Sequence, residues 1–152
     1  MVRLIDINES NFFEASRLSV KEEQKRFLDS PLGIIARGYV YRECNARVFA
    51  VENDGVITGL VFIRNLDEEP ACYDLQQFMI DSRFQGRGFA KEALNKALCL
   101  LENEGCYPCV EVCVNKENTA ALALFENAGF KDTGFVDENL PDCLNLRYTF
   151  KK

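Results

Sequence analysis

The stretch "FMIDSRFQGRGFAKEALNKALCLL" (78–101) constrains the fold more than any other part of the chain. An apolar, strand-like run ends near Asp81. Side chains are then given up at Gly86 and Gly88, and a helical pattern follows. Ala90, Ala93, Leu94, Ala97, Leu98 and Leu101 share one face at helical period. A glycine costs about 0.5–1 kcal/mol against alanine inside a helix, so two at a helix mouth need a reason. Either the chain turns tightly there, or something approaches the backbone closely. The first N–H groups of a helix lack intrahelical partners and carry the positive end of its dipole. The turn therefore suits an anion such as a phosphate, although a purely structural turn would use the same residues. The Gly-Lys-Ser/Thr ending of a Walker loop is absent. Ala90 closes the glycine series too early for a dinucleotide fingerprint, and the preceding strand is not the first.

The rest of the chain supplies a sheet around this unit. "VRLIDI" (2–7) reads as a first strand, and "NESNFFEASRL" (8–18) as a helix capped by Asn8 or Ser10. Residues 19–44 read as two helical stretches broken at Ser30-Pro31, with Glu22 and Arg26 paired at i,i+4. "ARVFAVENDGVITGLVFIRN" (46–65) is a hairpin closed at Asn-Asp-Gly. Strands follow at 68–81 and 109–114, the second with Val110, Val112 and Val114 on one side. Helices span 89–105, stopped by Gly105, and 118–130, capped by Asn118 and ended at Gly129. Two closing strands lie within 131–150. No repeat, linker or low-complexity segment interrupts the 152 residues, so a single domain with one mixed α/β or α+β sheet is expected.

Composition removes several function classes. The chain has no histidine, which excludes Ser-His-Asp and Cys-His nucleophile systems and the histidine zinc motifs. Acid–base chemistry must then come from carboxylates, Tyr, Cys, Lys, backbone or water. A net charge of −6 argues against nucleic acid. No apolar run reaches the roughly 18 residues of a membrane span, and "MVRLIDINES" does not resemble a secretory signal. A cytoplasmic protein without a membrane partner is expected. Seven cysteines, an odd number, suit reduced thiols better than a disulfide framework.

The run Gln85-Gly86-Arg87-Gly88-Phe89-Ala90 resembles the Gln/Arg-x-x-Gly-x-Gly/Ala signature of the GNAT N-acetyltransferase superfamily. "VEVCVNKENTAALALFENAGF" (110–130) is similar to that family's second block, a strand, an Asn-capped helix and a Gly-Phe exit. The resemblance covers most of residues 47–150. "VKEEQKRFLDSP" and "LQQFMIDSRFQGRG" more loosely resemble bacterial spermine/spermidine acetyltransferases. The resemblance implies a GNAT-like single domain. Its mixed, mostly antiparallel twisted sheet of about seven strands would be flanked by about four helices, and a splayed strand pair would form a CoA cleft. It also implies acetyl-CoA as co-substrate, no metal, and a small primary amine as acceptor, with a polyamine first. The alternatives are a catalytically weak or inactive CoA-binding sensor or interaction module, or an acetyltransferase of protein N-termini or lysines. A homodimer is compatible with the sequence.

The implied roles fall on particular residues. Pyrophosphate would sit on the N–H groups of residues 86–91, which gives Gln85, Gly86, Arg87, Gly88, Phe89, Ala90 and Lys91 as cofactor-binding residues. The pantetheine arm would pair with the strand edge at Phe78, Met79 and Ile80, where a backbone N–H would also meet the thioester oxyanion. Asn118 would contact the CoA arm, act as a helix cap, or both. Glu111 and Asp74 are the candidate general bases, or are solvated strand acids. Phe125 departs from the family pattern, since most relatives carry there a Tyr that protonates the leaving thiolate. The expectation is that Phe125 packs against the pantetheine and the 89–105 helix, and that transfer proceeds without a Tyr acid.

Three further signals have plainer readings. Cys106, Cys109 and Cys113 in "CYPCVEVC" include a Cys-x-x-Cys, read as small buried or semi-buried thiols rather than a metal or redox site. The acidic loops 66–70 and 136–142 would favour a polycation if both border the acceptor. Tyr39 and Tyr41 read as core or cleft-wall residues.

Overall fold

The hairpin expected at residues 46–65 forms the middle of one half of the sheet. Strands β2 (Arg47–Asn53) and β3 (Val56–Leu66) pair antiparallel around Asp54-Gly55. β1 (Val2–Asp6) adds to β2, and β4 (Cys72–Ile80) adds to the far side of β3, both antiparallel. The computed structural model describes Met1 to Lys151. Beyond β4 lie β5 (Cys109–Asn115), β7 (Cys143–Thr149) and the two-residue β6 (Lys131–Asp132), in the order β1-β2-β3-β4-β5-β7-β6. This is a seven-stranded mixed sheet in which β4 and β5 run parallel.

Helices cover both faces. α1 (Phe12–Ser16) and α2 (Pro31–Val40) bury Ala15 and Ile34 against Ala50, Leu60, Phe62 and Met79. α3 (Phe89–Glu104) and α4 (Thr119–Ala128) cover the opposite face. There Ala93, Leu94, Ala97, Leu98 and Leu101 meet Val61, Ile63, Tyr73 and Leu75, and Val110, Val112 and Val114 complete that core. Burying one such aliphatic side chain contributes roughly 1.5–3 kcal/mol, so the helical stripe read at 90–101 fixes α3 to the sheet.

Four expectations change. The first helix begins at Phe12, not Asn8, because both capping candidates are engaged upstream of it. Asn8 Oδ1 accepts from Ser10 N–H at 2.8 Å and from the Ser10 hydroxyl at 2.6 Å, so the two candidates bond each other. Residues Glu22–Phe27 form a 3₁₀ turn with no buried residue instead of an α-helix. In that geometry i and i+3 align, so Glu22 pairs with Lys25 at 2.8 Å while Arg26 reaches Glu117 at 2.5 Å. The first closing strand shrinks to β6, because Thr133 N–H turns to the Asn145 carbonyl at 2.9 Å. Tyr39 is exposed and lies under the Arg42 guanidinium, outside core and cleft alike.

Candidate functional site

β4 and β5 pair only at Tyr73↔Val110 and Asp74↔Glu111 among the described residues. Past that point they separate, and the β5-facing edge of β4 is left open. Antiparallel pairing fixes which groups it offers. Asp81 N–H donates to the Thr58 carbonyl of β3 at 2.8 Å. Polar groups alternate along a strand, so those of Met79 also point toward β3, and those of Phe78 and Ile80 point into the opening. Met79 therefore contributes a buried side chain rather than an edge amide. The Ile80 carbonyl is already bonded by Gln85 Nε2 at 2.9 Å. The Phe78 N–H and carbonyl and the Ile80 N–H remain. On the β3 side, register skips a residue at Gln76, a bulge just before this edge.

The glycine turn lies at the end of the same edge. Gly86 and Gly88 have φ of +79° and +82°, a left-handed conformation that strains other residues. A Cβ at either position would meet nothing within 4 Å, so the space in front of them is not filled by protein. Gly88 caps α3 without a side-chain bond, and the N–H groups of the first helical turn face outward unpartnered by the helix. The tight turn accounts for both glycines, since the backbone conformation requires them, and the space they leave is open.

A groove of about 340 Å³ joins the turn to the strand edge. Phe78, Met79, Ile80, Gln85, Gly86, Gly88 and Ala90 line one side of it, and Asn118 and Phe125 the other. Asn118 Oδ1 caps α4 by accepting from Ala121 N–H at 3.3 Å. Phe125 is buried edge-on against Phe78 and Phe130, with ring centroids 6.2 and 5.2 Å apart. Arg87 and Lys91 are exposed at the α3 start, and Phe89 packs on Phe84 instead of lining the groove.

Several residues here escaped the sequence reading. Val20, Gln24 and Leu28 close the groove from the segment between α1 and α2. Gln24 and Gln85 exchange side-chain hydrogen bonds at 2.9 and 3.3 Å, which ties that segment to the turn. Asp81 is buried, accepting from Ser19 N–H at 2.8 Å and from Arg83 N–H and Nε at 2.9 Å. Burial pushes its carboxyl pKa up, but these donors more than offset that and hold it below the usual range. The Ser/Asp spacing across 62 residues left no local signal for this link.

Asp74 and Glu111 do not line the groove. They stand on the α2 face of the sheet, where the strands begin to part. Arg64 of β3 is opposite Asp74, and Arg147 of β7 is opposite Glu111, making a row of four charges across four strands. Arg64 Nε donates to Asp74 Oδ2 at 2.9 Å. Arg147 Nε and Nη2 both donate to Glu111 Oε1, at 3.0 and 2.6 Å. Burial is the main influence on Asp74 and raises its pKa, opposed by Arg64.

All seven cysteines are free thiols. Cys72 and Cys109 are buried, whereas Cys99, Cys106 and Cys113 are exposed. The Cys-x-x-Cys is thus split between an exposed and a buried residue. Burial, with Glu111 and other acids nearby, pushes the Cys72 thiol up to about 12. No group of three or more His, Cys, Asp or Glu among the described residues is arranged to hold a metal ion. No helix among them is long and apolar enough to cross a membrane.

A sequence profile of the family described as Acetyltransferase (GNAT) matches residues 3–130. N-acetylaspartate synthetase of Xenopus tropicalis is 29% identical over 87 residues, 57% of this chain and 31% of that protein. The chain thus spans about a third of that curated relative's length. An acetyltransferase from Agrobacterium tumefaciens superposes with a TM-score of 0.75 at 16% identity, covering 98% of this chain and 91% of the other. Spermidine N-acetyltransferase of Vibrio cholerae, in complex with CoA and spermine, gives 0.73 at 20% identity, covering 97% and 95%. These two structures share the fold described above.

Proposed function

The chain belongs to the acetyltransferase (GNAT) family, and on that premise we propose that it transfers an acetyl group from acetyl-CoA to the primary amine of a small molecule. The observation that carries this reading is the continuity of the groove. It runs from the open N–H groups at the α3 start to the unpaired edge of β4. A pyrophosphate and an amide-bearing arm need those two features in that order, and an added strand-like arm pairs with such an edge. Gly86, Gly88 and the N–H groups of residues 86–91 would hold the pyrophosphate. Phe78 and Ile80 would hold the arm, with Asn118 Nδ2 across from them.

Acetyl-CoA supplies an acetyl group already activated as a thioester. An alkylammonium near pKa ~10.4 must lose a proton before it can attack, which costs roughly 4–5 kcal/mol at pH 7. Asp74 accepts that proton, directly or through water, and its raised pKa makes it a stronger base than an ordinary carboxylate. Glu111 is the weaker candidate because Arg147 places two hydrogen bonds on one of its oxygens. The amine nitrogen then bonds to the acetyl carbon as the carbon–sulfur bond breaks. The Phe78 N–H stabilises negative charge on the acetyl oxygen in the transition state. The amine's second proton leaves to water, and the thiolate departs without help from Phe125, whose ring has no proton to give. A thiol of pKa near ~8.5 is a tolerable leaving group near neutral pH.

The acceptor is the finer part of this reading. The Vibrio cholerae structure, with spermine in its complex, supports a polyamine. Release of CoA thiol with a panel of primary amines tests the reading, and product mass identifies the acetylated nitrogen. A second reading, a CoA-binding module without transfer, is favoured by one observation: Phe125 occupies the place of the expected acid.

A further inference from the structure

The α2 face of the sheet, where β4 and β5 begin to part, is charge-balanced rather than acidic. Asp74 is paired with Arg64, Glu111 with Arg147, and Asp29 with Arg37 at 3.2 Å. A polycation gains little from carboxylates that each already hold a guanidinium. Arg64 differs from the other two arginines. Its Nε alone is hydrogen-bonded, to Asp74, which leaves both Nη groups without a protein partner among the described residues. Among the described residues no buried side-chain nitrogen or oxygen lacks a partner, so these Nη groups reach solvent. The Arg64 side chain is nevertheless only 20% exposed, and Tyr41 holds its guanidinium carbon 4.5 Å from the ring centroid. A fixed, half-buried fork with open donors is a carboxylate receptor, and it touches the residue read as the base.

We propose that the acceptor amine also carries a carboxylate, as an amino acid does, and that Arg64 receives that carboxylate while Asp74 receives the proton of the ammonium. This rests on the acetyl-transfer reading and narrows its acceptor. Register brings the two functions together, because Arg64 and Asp74 are direct neighbours on β3 and β4. Arg147 supplies a second cation three strands from Arg64 and keeps the row neutral.

The test compares four-carbon amines that differ only at the far end: 4-aminobutanoate, butylamine and 1,4-diaminobutane. Spermidine and shorter amino acids are run alongside. The expected result is a kcat/KM for at least one amino acid about tenfold or more above butylamine and 1,4-diaminobutane, the size of one or two charge-assisted hydrogen bonds. In Arg64→Gln that preference collapses, mainly through KM. In Arg64→Lys, which keeps the charge but not the fork, part of it returns. Preference for spermidine or the diamine, or an unchanged preference in Arg64→Gln, overturns the proposal. If no amine is acetylated, the transfer reading fails separately. The arginine Nε–Hε resonances of the CoA-loaded protein then decide this one. A shift at Arg64 with amino acids but not with butylamine supports it, and no shift overturns it.

Discussion

Asp74 and Glu111 face each other across the short paired stretch of β4 and β5, and each is held by an arginine on its outer neighbouring strand. The two carboxylates look equivalent in sequence, but their surroundings separate them. Burial raises the pKa of Asp74, while two bonds from Arg147 fix Glu111. Asp74→Asn should lower kcat by about 10²–10⁴ while leaving CoA affinity unchanged. It should also remove the acid limb of the pH–rate profile, which for the native protein lies above the usual carboxylate range. Glu111→Gln should cost about 1 kcal/mol of stability and change kcat by less than about threefold. Steady-state rates across pH, with CoA titrations of both variants, check this. Equal losses would mean that the pair acts as a unit.

Gly88 is required by its φ of +82° and faces open space. Gly88→Val should therefore do two separable things. Left-handed strain of about 1–2 kcal/mol should lower Tm by roughly 2–8 °C, and CoA affinity should fall at least tenfold. Gly105→Ala is the control, since φ there is +68° at the far end of α3, away from the groove. It should carry the thermal loss without the binding loss. Calorimetric titration of both variants separates strain from contact.

Asp81 links residue 19 to the end of β4 beneath the turn. Its native pKa lies below the usual value, so its stabilisation is complete above that value and fades as pH falls through the lowered one. Relative to Asp81→Asn, the native protein should hold a constant Tm advantage from about pH 5 to 8 and lose it below about pH 4. A gap that stays constant down to pH 2 would contradict this.

Much of this arrangement was legible from local chemistry. The Asn-Asp-Gly turn, the Asn118 cap, the Gly105 and Gly129 helix stops and the α3 stripe each declare themselves within a few residues, and each lies where expected. The groove-lining residues of the glycine turn were legible for the same reason. What stayed hidden depends on register between distant strands. Nothing near Arg64 in the sequence signals that it will lie opposite Asp74, or that Arg147 will occupy Glu111. The Gln24–Gln85 and Ser19–Asp81 links join residues about sixty positions apart. The 20–28 segment carries helical composition but buries no residue fully, so without a core to hold an α-helix it tightened into a 3₁₀ turn.

Exposure and reactivity should part company among the thiols. Cys99, Cys106 and Cys113 are all exposed residues, but partial loss of solvation and the nearby Cys143 push the Cys113 thiol up to about 12. The thiolate is the reactive form. Cys99 and Cys106 should alkylate first, with Cys113 at least tenfold slower and Cys72 slower still. In denaturant all seven should titrate. Time-resolved alkylation with peptide mapping checks the order, and rapid labelling of Cys113 would refute it.

The central claim is that a chain with Phe125 in place of the expected acid still moves an acetyl group. The direct measurement is CoA thiol release and acetylated product, counted together, when acetyl-CoA and a panel of amines and amino acids meet the native protein and Phe125→Tyr. The account predicts one product per CoA released by the native protein. It also predicts that Phe125→Tyr binds CoA about as well and turns over at least as fast. Tight CoA binding by the native protein with no product from any amine, while Phe125→Tyr turns over readily, would contradict it and leave a CoA-binding module.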